Sequence, residues 1–165
     1  MDIADHLEAY RKDPGPQTLQ RLRCAILGSP GFDPRISISR MLHGIEGHDA
    51  VIAAIWERMP GLLLSPQAHR RLSLAYEATG RAAEASREDG LDRMSLDAIR
   101  AGSSGCQDDP FTVLRIEDEY DLLAATGHRS VRQEERATGG DVVDVHTLED
   151  GRQWWFTLLW RSSSP

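Results

Sequence analysis

Lysine is all but absent from this chain: Lys12 stands alone beside 18 arginines, a bias of base composition to which no function attaches. Acidic residues outnumber basic ones 26 to 19, giving a formal charge of −7. No basic cluster marks a nucleic-acid face, so phosphate-backbone binding is excluded as a main activity. Cysteine is scarce as well. Cys24 and Cys106 lie far apart and form no Cys-x-x-Cys pair, which reads as two reduced thiols rather than a disulfide framework. Long apolar runs are missing: the most apolar stretch, 154–160, is seven residues, against the ~20 that span a bilayer. A membrane partner is therefore excluded. The opening Met1-Asp2-Ile3-Ala4-Asp5-His6 is acidic where an export signal is basic and then apolar. The expected location is the cytoplasm.

What remains is the composition of a folded protein, 40% hydrophobic and 27% charged over 165 residues, a length at which folding buries about 70% of the chain's surface. In the first hundred residues apolar side chains recur at three- and four-residue spacing between Gly and Pro punctuation, the pattern of stacked helices. Helices are expected at 2–12 (Ile3, Leu7, Tyr10) and 17–27 (Leu19, Leu22, Ile26). A third runs from an Asp33-Pro34 cap through Ile38, Met41, Leu42 and Ile45 to Gly47, and a fourth spans 49–59. The fifth opens at Ser65-Pro66 and runs to Thr79 with Gly80 behind it. Two shorter helices follow, at 81–90 and 92–100.

His69, Leu72, Ser73, Tyr76 and Ala85 occupy offsets of the tetratricopeptide repeat, whose period is about 34 residues. Asp89 stands where the repeat has an aromatic, and one period back Leu42 and Val51 are merely apolar. The repeat is degenerate, so the helical half reads either as a peptide-binding concave surface or as a packed bundle. Trp56, His69 and Tyr76 are the candidate partner-binding residues of this half, each with an alternative role in the core.

The stretch 102–110 is rich in turn formers and reads as a linker. Beyond it a strand is expected at 111–116, a helix at 117–126 ending before Gly127, and strands at 131–135, 142–148 and 154–160, the last two joined by a hairpin at Asp150-Gly151. The final strand is apolar on both faces. That suits a central strand, or one whose Trp155 face meets a partner. The expected fold class is therefore α+β: a tetratricopeptide-like helical bundle over 1–101, a linker over 102–110, and a small, mainly antiparallel sheet carrying one helix over 111–165.

Chemistry-bearing motifs are few. The acidic run Glu117-Asp118-Glu119-Tyr120-Asp121 reads as the first turn of a helix, where carboxylates complement the macrodipole. Asp144 and His146, two apart on a strand, share one face and offer two metal ligands, but a site needs a third, and Asp141 points the other way. Gly102-Ser103-Ser104-Gly105 lacks the strand and the lysine of a phosphate loop. No histidine sits in a metalloprotease or nucleophile motif.

The order of short signatures resembles an uncharacterised bacterial family of the domain-of-unknown-function type. They are Leu22-Arg23, Ser29-Pro30-Gly31-Phe32-Asp33-Pro34, His69, Gly80, Ala85, the Gly102/Gly105 loop, Pro110-Phe111-Thr112-Val113, Glu119-Tyr120-Asp121-Leu122-Leu123, Gly127, Val143-Asp144-Val145, Asp150-Gly151 and Trp155-Phe156. The likeness covers 22–160 and implies a tetratricopeptide-like region joined to a compact α/β module, with no assigned catalytic residues. The family pattern often carries an acidic residue after the Phe of the final strand, where this chain has Thr157. The expected function is a non-catalytic, cofactor-free module that binds a protein or peptide, a basic one by virtue of the net charge. One alternative is an immunity protein neutralising a toxin; another is a small hydrolase or metal-dependent enzyme using Asp144 and His146.

Overall fold

The structure is a computed structural model that describes residues 2–162; Met1 and residues 163–165, the ends of the two expected units, lie outside the described residues. Six helices come first: α1 (Ile3–Lys12), α2 (Pro16–Leu27), α3 (Ile38–Met41), α4 (His48–Trp56), α5 (Pro66–Ala78) and α6 (Ala82–Arg100). Strand β1 (Phe111–Val113), helix α7 (Ile116–Ala125) and strands β2 (Ser130–Thr138), β3 (Asp141–Leu148) and β4 (Gln153–Leu158) follow, with a 3-10 turn at Leu159–Arg161. The fold is α+β, as the sequence pattern implies.

Local chemistry sets most helix ends. Asp2 accepts from the amide of Ile3 at 2.6 Å while Asp5 accepts from that of Asp2 at 2.9 Å, satisfying donors that an uncapped helix leaves open. Ser65 caps α5 through the amide of Ala68 at 3.3 Å, with Pro66 at the first helical position. Two departures from the sequence pattern are informative. The third helix is only one turn long and is capped by Ser37, because the segment before it docks onto α7: Pro34 accepts from the amide of Ile116 at 3.1 Å. And the two helices expected at 81–90 and 92–100 are one 19-residue helix that runs straight through Gly90.

The sheet has the order β1-β4-β3-β2, with β1 parallel to β4 and the other pairs antiparallel. Strand β4 is thus central, which accounts for its two apolar faces. Phe156 and Leu158 point toward α6 and α7 and share a core with Ile99, Phe111, Val113 and Leu122. Val143, Val145 and Trp155 form a smaller cluster on the opposite face. The expected linker is an ordered turn rather than a spacer. Gly105 donates to the carbonyl of Asp109 at 2.9 Å and accepts from the amide of Trp155 at 2.9 Å. A Cβ on Gly105 would lie 2.1 Å from the Phe111 ring, and its φ of +77° is a further reason for glycine there.

The two halves share an interior. Leu114 packs with Tyr10, Leu19, Leu22, Ile26, Leu64 and Ala98 of the helical half. Through this seam runs Arg115, whose side chain is fully buried. Its guanidinium donates to the carbonyls of Gly61 and Leu64, ion-pairs with Asp118 Oδ2 at 3.3 Å and lies over the Phe32 ring. Arg23, also buried, donates to the carbonyls of Ala98 at 2.6 Å and Thr112 at 3.2 Å.

A buried ion pair is strongly destabilising when one partner alone is removed, because the other is left uncompensated. Arg115→Met is therefore expected to lower the unfolding free energy by roughly 3–5 kcal/mol, read from urea denaturation of the full chain. Arg115→Met combined with Asp118→Leu is expected to recover part of that loss; a single variant as stable as the parent would mean that the guanidinium does not hold the seam.

Candidate functional site

The acidic run at the start of α7 does more than complement a helix dipole, because three of its four carboxylates have a tertiary partner and the fourth pairs with the buried Arg115. Glu117 accepts from the amide of Ile38 at 3.0 and 3.2 Å, and Asp121 from that of Gln67 at 3.0 Å. Asp118 holds Arg115, and Glu119 meets His146 Nε2 at 2.7 Å. Burial pushes the Asp121 carboxyl up to about 7, helped by Asp118 and Glu117 beside it.

Asp144 and His146 do share a face of β3, and the third group they lacked in sequence is Glu119, supplied by α7. All three are buried, with exposures of 1%, 0% and 0%. Gln133, opposite His146 on β2, donates to Asp144 at 3.0 Å and to Glu119 at 3.3 Å and accepts from the Tyr120 hydroxyl. Arg161 lies 3.6 Å from Asp144. Glu119 meets His146, and Gln133 bridges Glu119 and Asp144; among the described residues no group of three or more His, Cys, Asp or Glu is arranged to hold a metal ion.

Burial, followed by the nearby Asp144 charge, pushes Glu119 up to about 10, while burial holds His146 down to about 4. Burial thus favours the neutral form of each. Glu119 Oε2 lies 2.7 Å from His146 Nε2 and His146 Nδ1 lies 2.9 Å from Ser130 Oγ, whose hydroxyl donates to the carbonyl of Arg132 at 3.1 Å. Serine, imidazole and carboxyl form a chain, but the ring nitrogens are used the other way round from a hydrolase triad, with Nδ1 on the serine and Nε2 on the carboxyl. The cluster links β2 and β3 to α7.

Of the four partner-binding candidates the fold brings only Trp56 and Tyr76 together. His69 is in the core, its ring nitrogens 2.7 Å from Glu88 and from the carbonyl of Leu63. Tyr76 is buried beneath Arg81 and accepts from Trp56 Nε1 at 3.0 Å; Trp56, at 46% exposure, is the one exposed member. Trp155 is buried on the outer face of the sheet, with Arg136 stacked over it. They form no common surface.

Concave surface lies elsewhere. Between the α1–α2 hairpin and α6, three adjoining concavities of about 380, 350 and 210 Å³ share walls at Tyr10, Pro14, Gly90 and Met94 and make one trough. Gly90, Arg93, Met94 and Asp97 face it from α6 at helical i, i+3, i+4, i+7 spacing, while Ala85, Glu88, Ser95, Ala98 and Ile99 on the other side are buried. Gly90 is the telling residue. A glycine inside a helix is less stable than alanine by about 0.5–1 kcal/mol, and a Cβ here would meet no atom within 4 Å. Nothing inside the chain requires the bare backbone. The stripe is legible in sequence only when Gly90 is taken as helical interior, and as a helix end it is lost. A separate groove of about 450 Å³ lies along α3, α4 and α5, beside the 54% exposed Leu74. Among the described residues, no helix is long and apolar enough to cross a membrane.

The buried cluster gives a pH dependence whose sign follows from the shifts. Glu119 is protonated in the fold up to about 10 but ionises at an ordinary carboxylate value when unfolded, so its contribution is full at low pH and is lost as pH rises. Stability is expected to fall as pH rises from the ordinary carboxylate range toward about 10, by at most ~1.4 kcal/mol per unit. Glu119→Gln, which keeps a donor for His146, is expected to flatten that slope in urea titrations. An unchanged slope would place the titrating group elsewhere. His146 acts at the other end: neutral in the fold, it contributes fully above its ordinary value, and that contribution is lost as pH falls toward about 4.

No protein-family model, no curated protein and no solved structure matches the chain.

Proposed function

We propose that this is a non-catalytic protein-binding module, and that its docking site is the trough between the α1–α2 hairpin and α6. The observation that carries this reading is Gly90: a helix-interior glycine with open space at its Cβ, in the lining shared by two adjoining concavities. A position that forgoes helix stability while leaving room for a side chain suits a floor kept flat for something from outside. The Glu119–His146–Ser130 chain supports the same reading, since its carboxyl and imidazole are closed off from solvent. A cytoplasmic setting, and kinship with the uncharacterised family that the sequence resembles, belong to the same proposal. The immunity-protein alternative is a special case of it, in which the docked partner is a toxin.

Gly90→Ala and Gly90→Leu test it together. Both are expected to fold, with Gly90→Ala about 0.5–1 kcal/mol more stable than the parent. In affinity capture from native lysate, a protein retained by the parent and by Leu74→Ala, which alters the other groove, is expected to be lost with Gly90→Leu. Equal retention by Gly90→Leu would show that the trough is not the docking site.

A further inference from the structure

The trough has a charge of its own, opposite in sign to that of the chain. Arg11 on the α1 wall and Arg93 on the α6 wall are exposed and make no hydrogen bond or ion pair among the described residues. Asp97, the one acidic residue in the lining, already holds Arg100 at 2.8 Å. Arg87, at the far end, reaches Glu88 at 3.3 Å. Between the two unpaired guanidinium groups lie the bare backbone of Gly90 and the side chain of Met94. Meanwhile the formal charge of −7 overstates the acidity of the surface, because five acidic residues, Glu88, Asp118, Glu119, Asp121 and Asp144, are buried against two arginines, Arg23 and Arg115.

Resting on the docking reading above, the geometry points to an acidic partner: a segment of another protein that sets carboxylates against Arg11 and Arg93 and lays an apolar side chain on Gly90 and Met94. A guanidinium fork matches a carboxylate with two parallel hydrogen bonds, and an unpaired one on the rim of a groove is free to make them. From Arg87 to Arg100 the α6 wall is roughly 20 Å long, enough for about six extended residues. The net charge favours a basic partner for the surface as a whole; the trough is the exception. A nucleic-acid backbone would also pair with the arginines, but it has no use for the apolar floor between them.

The test is fluorescence anisotropy on the full chain with labelled peptides of about nine residues. Three sets share a central Leu or Phe and carry Asp/Glu, Lys/Arg or Ser around it; single-stranded DNA is the polyanion comparison. The acidic set is expected to bind at least ~10-fold tighter than the others, to weaken with salt, and to lose at least ~10-fold on Arg11→Glu with Arg93→Glu. No binding of the acidic set, tighter binding of the basic set, or indifference to the charge reversal overturns the inference. DNA binding as tight as the acidic set overturns the protein segment as occupant. The double variant in lysate capture separates this inference from the reading it rests on. A partner lost with Gly90→Leu but kept by the charge reversal leaves the docking site standing and removes the acidic partner, whereas a partner kept by both removes the docking site itself.

Discussion

The fold depends on one arginine in the wrong place for an arginine. Arg115 sits with no solvent exposure at the seam between helices and sheet, where an uncompensated guanidinium would be prohibitive. The carbonyls of Gly61 and Leu64 and the carboxylate of Asp118 make it tolerable, and in doing so they fix the loop before α5, the start of α7 and the end of β1 in one relation. Apolar packing alone tolerates sliding, whereas a directional set of donors and acceptors does not. The other carboxylates of the α7 run extend the same logic. Glu117 and Asp121 take amides at the starts of α3 and α5, and Glu119 ties α7 to the sheet.

This arrangement has a consequence for function. The residue types that most invite an enzymatic reading, two carboxylates, a histidine and a serine, lie in one buried cluster that ties α7 to β2 and β3. Burial favours the neutral forms of Glu119 and His146 there. The rigid seam leaves α6 anchored along its buried face by Arg23, Ala98 and Ile99. Its opposite face is free to form one wall of the trough.

Much of the architecture is legible in the sequence because it is written locally. Asp2, Ser65-Pro66, Gly80, Gly127 and Asp150-Gly151 mark ends and turns through short-range chemistry, and the apolar stripe of Trp154 to Leu158 gives a central strand its two buried faces. What is not legible is tertiary. The run Glu117 to Asp121 looks the same on a solvated helix as on a buried one, and only the fold brings Ile38, Gln67 and His146 to it. The convergence of Glu119 with Asp144 and His146 spans 27 residues in sequence, beyond any spacing rule. Gly90 misleads for a different reason: glycine ends helices by propensity, and here the packing of α6 along both α5 and the sheet overrides it. Of the residues singled out for binding, Trp56 is exposed, while His69, Tyr76 and Trp155 serve the interior, as large amphipathic side chains commonly do.

Docking in the trough is open to measurement by amide chemical shifts of the isotope-labelled full chain titrated with the captured partner. Perturbations are expected at the end of α1, the turn at Pro14 and the Arg87 to Gly102 wall, with the Glu119–His146 cluster silent. Perturbations centred on Leu42, Val51 and Leu74, or on the outer face of the sheet at Val143 and Trp155, would contradict it.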